Sequence, residues 1–562
     1  AFMKDSTGDP VELYRHSVKT IRETIGPNRY LLGCWGIPLE GMGIMNGSRT
    51  GGDIYLDWEK GFMTALDATM QFYYLHNIAW YCDPDVMCLR RPLTLDMARA
   101  WATLQGLTGQ ALMASDRLVD LSPERVEIMK RVYPAVNIRP LDLFPAIRYK
   151  KIWDLKINHL ERNYDVVGCF NYDLNKTDFV YLNWEELGLP AEAKVHLFDF
   201  WNEEYLGCWE KGYFVHLNPA SVKVLTLLVA QDQPQLISTN RHITQGWVDL
   251  IQCKYDAKTN TYTGESQMVG NDTYEIRFVF PRQQNFRIKE AVAENFETEI
   301  NNHQGWATVR FTSKESNNVS WKVSFESAES YQFPVRKPNH IAFEPIGLTS
   351  LKVSWSPTYY LNGGYYIYYN KKLLGATPVN QVILRNVDLS ENDLIQISTA
   401  WYNGTESKEK VSAKISANKI FPDEVFLSDL KAKTATAGWG GLPKNDKSIR
   451  NRTLKIDDKI YSKGIGTHAV SDITYSLKGK YKVFTAEVGM DGYALECKGG
   501  SVEFKVYGDG KLLWESGVME YSDPPKPVKI DISGVDILRL HVDDAGDGIN
   551  CDHADWGKAK IK

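Results

Sequence analysis

Arg49-Thr50-Gly51-Gly52-Asp53 sets a guanidinium and a carboxylate four residues apart in a glycine-rich loop, residue types that could contact hydroxyls and donate a proton. The short run Gly43-Ile44-Met45-Asn46-Gly47 leads into it and reads as a strand. Glycines let a backbone approach a ligand closely, and an acid beyond the C-terminal end of a barrel strand faces the usual active-site mouth. Asp53 could therefore give a proton to a departing oxygen, with Arg49 contacting hydroxyls or orienting the acid. An ordinary turn, with Arg49 in a structural salt bridge, accounts for the same residues, and both readings stay open.

Trp80-Tyr81-Cys82-Asp83-Pro84-Asp85 brings two carboxylates around a proline after an aromatic run. An Asx turn or a helix cap explains that pattern as well as catalysis does. His76 follows Phe72-Tyr73-Tyr74-Leu75 and reads as a hydrogen-bonded buried histidine rather than a metal ligand. No His/Asp cluster has zinc-type spacing, so no metal is assigned to the catalytic region. Near the C-terminus, Asp543, Asp544 and Asp547 could give oxygen ligands to Ca²⁺ or form a solvated Gly-Asp turn. Trp439 and His468 could hold a sugar by stacking and hydrogen bonding, or be packed.

The elements that must position these residues follow from periodicity. Residues 11–24 have helical spacing, and 97–113 form an Ala/Leu-rich helical stretch that leads into Ala114-Ser115-Asp116. Strand-like runs near 30–34, 44–48, 76–81 and 111–115 alternate with them, which predicts parallel βα units. Four such strands are half of a (β/α)₈ TIM barrel. Beyond Trp153 the helical period gives way to short apolar runs cut by Asn, Asp and Gly. The expected organisation is a partial barrel over 1–150, a β-sandwich over 151–250, an accessory β domain over 251–332, a fibronectin type III-like domain over 333–418 and a final β module over 419–562.

At 562 residues the chain is too long for one core. A net charge of −5 with interspersed signs offers no footprint for nucleic acid. Sixteen Trp and thirty Tyr suit both sheet cores and the apolar faces of sugars. Eight dispersed cysteines are too few for a disulfide scaffold. No run approaches the roughly 18 apolar residues of a membrane span. The oligomeric state is not legible.

Taken in order, the segments at 49–53, 80–85 and 93–116 resemble the α-galactosidase clan, glycoside hydrolase families 27 and 36. Phe198-Asp199-Phe200-Trp201 and residues 235–246 resemble the sandwich that follows the barrel in those enzymes, so the likeness covers about residues 1–250. It implies retaining hydrolysis of terminal α-D-galactosides without a redox cofactor, by two aspartates about 5 Å apart. Asp53 matches the place of the acid/base. The family's nucleophile lies in a Lys-x-Asp pattern, whereas Lys4-Asp5 lacks the spacer, so the nucleophile is expected upstream of Ala1 or else at Asp5. Arg49, Cys34, Trp35, Gly52, Trp80 and Asp83 fall where such enzymes contact the sugar, Trp35 being equally suited to the barrel core. Clan members also cleave α-N-acetylgalactosaminides and β-L-arabinopyranosides, and a glycan-binding protein without hydrolysis is the other class to weigh. Lys463-Gly464-Ile465-Gly466-Thr467-His468 and His553-Ala554-Asp555-Trp556 resemble the NPCBM domain, a carbohydrate-binding module appended to glycosidases. A carbohydrate partner and a secreted or periplasmic location follow as expectations of these resemblances.

Overall fold

The computed structural model describes residues 9–34, 39–140, 149–329, 335–347, 350–358, 363–385, 392–415, 422–492, 497 and 499–562. The chain divides into two compact units, Ala1–Asn339 with Pro357–Asn380 and Gln396–Val411, and His340–Ser356 with Gln381–Ile395 and Ser412–Lys562. Both are built mainly from antiparallel sheets, and the first opens with a mixed α and β stretch. The protein is thus multidomain, with several all-β layers.

In that opening stretch the helix expected over 11–24 is found at Pro10–Ile25. Asp9 caps it by accepting the Val11 N–H, and Pro10 supplies a first turn that needs no donor. Three strands, Leu32–Gly33, Gly47–Arg49 and Tyr81–Asp83, pair in parallel and in chain order. They are shorter than expected, or shifted toward the C-terminus. Ile44 and Met45 turn back to donate to the Gly41 carbonyl, and Asn77, at φ 58°, donates to Trp80, so neither stretch is free to pair. A fourth strand over 111–115 reduces to one parallel bridge, Ala114 to Met87.

The helix expected over 97–113 runs only from Leu95 to Thr108. Thr94 caps its start, and Gly109 ends it in the left-handed conformation. A Cβ at Gly109 would fall 2.1 Å from the Val136 carbonyl oxygen, so backbone packing enforces the stop. Along the helix Trp101, Leu104 and Leu107 share one core with Phe62 and with Trp153, Phe170 and Val224 of the following sheet. Full burial of each large apolar side chain contributes roughly 1.5–3 kcal/mol.

That sheet has the antiparallel order Ile152–His159, Arg162–Asn171, Ser221–Val229, Lys194–Asp199, Glu204–Glu210. Asp178–Asn183 and Gly212–Leu217 form a second layer over it, sharing a core with Val167 and Leu225. Lys372–Thr377 joins this second layer from far downstream, Ala376 pairing in parallel with Tyr213, and carries Gly364–Tyr369 with it. Two four-stranded sheets over 235–327 enclose a core of Phe278, Phe311, Trp321 and Phe325.

In the second unit Ser350–Ser356 pairs with Gln381–Arg385, so strands from 333–418 are divided between the units. Its larger part is a sandwich. One sheet contains Gly464–His468, His553–Ile561, Val483–Met490 and Lys526–Asp531, and the other contains Ser471–Ser476, Ile537–Asp543, Ser501–Gly508 and Lys511–Glu520. Trp556, Phe484 and Phe504 lie in the core that they share.

Candidate functional site

The parallel strands deliver their following loops to one edge of the sheet, where Arg49 is the organising residue. Its side chain is only 12% exposed, yet Nη2 donates to Asp53 Oδ1 at 2.8 Å and to Asp85 Oδ2 at 2.5 Å. Nη1 approaches Cys34 Sγ at 3.7 Å, which ties the ends of all three strands to one guanidinium. Asp53 stays 64% exposed, so its second oxygen can reach a ligand while the first is held. Of the two readings of this loop, the salt bridge is present, and one carboxylate oxygen of Asp53 remains exposed beside it.

Asp83-Pro84-Asp85 forms the Asx turn that its sequence allows, with the Asp85 N–H donating to Asp83 Oδ1 at 2.8 Å. The turn throws Asp85 to φ 77°, which aims its carboxylate back at Arg49 and at the Ile54 N–H, 2.9 Å away. Asp83 itself is 2% exposed, and burial pushes its carboxyl above the usual range against the pull of the Asp85 N–H. Sequence reasoning selected Asp83 and missed Asp85. Nothing in the Asp-Pro-Asp run alone marks Asp85, because the positive φ that turns it toward Arg49 shows only in the fold.

The glycines of the loop have different reasons. A Cβ at Gly51 would lie 2.9 Å from the Ala68 side chain, so Gly51 is required for helix packing. At Gly52 a Cβ would meet nothing within 4 Å. Trp80 and Asp83 line a cleft of about 650 Å³ with Tyr30, Met45 and Leu112, and Asp83 is also the direct cross-strand partner of Arg49. Trp35 and Asp5 lie outside the described residues. His76 is buried, its Nδ1 accepting from the Cys82 N–H at 3.1 Å and its ring stacked on Tyr73, and burial lowers it to about 4.

A second cluster sits in the C-terminal sandwich. His468 and His553 are direct partners across neighbouring strands, with ring centroids 5.0 Å apart. Trp439, 51% exposed, lies over both at 5.6 and 5.4 Å. The Ala469 carbonyl accepts from His468 Nδ1 at 2.8 Å, which fixes the proton there and turns Nε2 into an acceptor. An indole face beside a ring acceptor is what a sugar with one apolar face requires. His553 was quoted from the sequence only as part of a motif, because the cross-strand register that pairs it with His468 has no local signature.

The three aspartates proposed for Ca²⁺ have protein partners. Asp543 receives Lys505 Nζ at 3.1 Å, Asp544 the Gly546 N–H at 3.1 Å and Asp547 the Ser501 hydroxyl at 2.8 Å. Among the described residues no group of three or more His, Cys, Asp or Glu side chains is arranged to hold a metal.

Deeper in this sandwich Asp555 is fully buried, and the Lys455 N–H donates to its Oδ2 at 3.2 Å. Burial first, and then the charge of Asp491, raises its carboxyl well above the ordinary 3.8. A folded state that keeps this proton has its full stability below pH of about 3.8 and loses stability as pH climbs toward the raised value. Asp555→Asn, which still accepts from Lys455, is expected to flatten that decline. Melting temperatures of wild type and variant from pH 4 upward check this, and parallel curves count against it.

Residues 423–562 match the NPCBM/NEW2 domain family. Alpha-1,3-galactosidase B of Akkermansia muciniphila is 38% identical over 118 residues, 21% of this chain and 15% of that protein. The chain therefore spans about a seventh of that relative's length. Among solved structures, CBM51 from Clostridium perfringens GH95 in complex with methyl-galactose is 37% identical, covering 25% of this chain and 99% of that one at a TM-score of 0.23. Alpha-galactosidase I from Mortierella vinacea is 13% identical and covers 40% of this chain and 64% of its own at a TM-score of 0.33.

Proposed function

We propose that this chain is part of a retaining α-galactosidase-type glycoside hydrolase whose C-terminal module holds the glycan. In this reading the three parallel strands and the 111–115 segment are the back half of a (β/α)₈ barrel, and Asp53 is the acid/base. The observation that carries it is the Arg49 clamp, which immobilises one oxygen of an otherwise exposed carboxylate at the ends of adjacent parallel strands. General acid catalysis requires that combination of fixed geometry and access. The match of the last quarter of the chain to a carbohydrate-binding module supports the glycan half of the reading, as does the galactosidase name of a relative. A secreted or periplasmic location goes with it. No helix among the described residues is long and apolar enough to cross a membrane.

Hydrolysis of 4-nitrophenyl α-D-galactoside, compared with the α-N-acetylgalactosaminide and the β-L-arabinopyranoside, tests the activity and names the glycon. Turnover of the galactoside with retained anomeric configuration is the expected result for the protein that carries the nucleophile strand together with this chain. A second reading, glycan binding without cleavage, is favoured by the Trp439, His468 and His553 cluster, which needs no catalytic acid. Binding of galactose-terminated oligosaccharides with no turnover of any of the three would select it.

Trp439→Ala separates the module's contribution under either reading. Loss of one stacking face is expected to weaken glycan binding at least roughly tenfold while leaving the melting temperature unchanged, because the ring is half exposed. Titration calorimetry with a galactose-terminated oligosaccharide measures it, and an unchanged affinity moves the binding face elsewhere.

A further inference from the structure

Two thiols in the C-terminal sandwich face each other outside the sites described above. Cys497 is exposed and Cys551 partly exposed, both are free, and their side chains are hydrogen-bonded neighbours. The backbones around them run in contact. A Cβ at Gly500 would fall 3.0 Å from the Cys551 carbonyl oxygen, 3.1 Å from that of Asn550 and 2.9 Å from Asp552 Oδ1. The Ser501 hydroxyl donates to Asp547 at 2.8 Å, a second tie between the same two segments. Cys551 sits at φ 69°, and the His553 N–H closes back on the Cys551 carbonyl at 2.8 Å. Whatever fixes Cys551 therefore fixes the entry to the strand that carries His553.

We propose that Cys497 and Cys551 are a redox-closable pair whose disulfide pins the loop leading into His553. The oxidant is a small disulfide such as oxidised glutathione. The Cys497 thiolate attacks one of its sulfurs and expels one molecule of reduced thiol, leaving a mixed disulfide on Cys497. Cys551, after losing its proton, attacks the Cys497 sulfur and expels the second reduced thiol. Two protein S–H bonds and one small-molecule S–S bond become one protein S–S bond and two small-molecule S–H bonds, so the protein gives up the two electrons that the small disulfide gains. The order of attack follows from the hydrogen bond to Cys497 and then burial, which push the Cys551 thiol up to about 11 and keep it protonated. Of the other cysteines, Cys82, Cys88, Cys169 and Cys208 are buried, which leaves them poor competitors for a small disulfide.

The test is to equilibrate the full chain with oxidised or reduced glutathione, block free thiols and map the cysteine peptides by mass spectrometry. A peptide pair joined through Cys497 and Cys551, absent with reduced glutathione and reopened by dithiothreitol, is the expected result. The melting transition of the C-terminal module should rise by roughly 5–10 °C on oxidation, as a cross-link across a loop of this length implies, and Cys497→Ser should abolish the rise. Free thiols at both positions after oxidation would overturn the pair. So would a stable glutathione adduct on either residue, or a disulfide between two chains. A cross-link without a melting shift would overturn the pinning.

Discussion

Asp53→Asn is expected to lower kcat on an unactivated α-galactoside, such as a galactosyl oligosaccharide, by about 10²–10⁴-fold. The amide cannot give up a proton, yet its oxygen can still accept from Arg49 Nη2, so the loop and the melting temperature should be unchanged. The acid role makes a sharper demand than loss of rate. A sugar and an alkoxide part slowly unless the leaving oxygen is protonated, whereas 4-nitrophenolate departs unaided. The variant should therefore lose much less on 4-nitrophenyl α-galactoside than on the oligosaccharide. Equal losses on the two substrates would assign Asp53 to binding rather than proton transfer. Full activity on both would remove it from the site.

The second large effect concerns stability. Trp556 is fully buried, edge-on to Phe504 at 5.0 Å and tilted against Phe484 at 6.4 Å, in the strand that also carries His553 and Asp555. Trp556→Ala opens a cavity that both sheets of the sandwich line, and it should cost about 3–5 kcal/mol. Its indole N–H is buried without an acceptor among the described residues, so no hydrogen bond is lost with it. Trp556→Phe should then recover most of the loss. Chemical denaturation followed by tryptophan-independent circular dichroism reads both variants. A wild-type midpoint for Trp556→Ala would mean that the core is held elsewhere. Glycan binding should fall in step with folding, in contrast to Trp439→Ala, which should lose affinity alone.

Much of the fold is local, and that part was legible. Helical spacing over 11–24 and the Ala/Leu-rich run over 97–113 announced two helices, whose ends the caps at Asp9 and Thr94 then set, and short apolar runs cut by turns announced the sheets beyond Trp153. Boundaries failed where tertiary contacts decide them. Residues 109–113 keep an apolar pattern because they are packed, but Gly109 under the Val136 carbonyl has already ended the helix. At the site, Arg49 and Asp53 were found because their spacing lies within one loop. Asp85 and His553 were not, since each owes its place to a partner far away in the chain: Arg49 for one, His468 for the other. Such pairings are set by sheet register, which no short motif records.

The late arrival of Lys372–Thr377 beside Gly212–Leu217 sets a timetable for biosynthesis. A nascent chain that has left the ribosome only as far as residue 327 has made every strand of the sheets over 152–229 and 235–327, yet one flank of the layer containing Tyr213 still awaits its neighbour. Until Ala376 emerges, that flank offers bare amide and carbonyl groups to any passing extended peptide. Expression of fragments cut between 327 and 364 should for that reason favour inclusion bodies, and fragments that reach beyond residue 414, where the last strand of that sheet ends, should stay in solution.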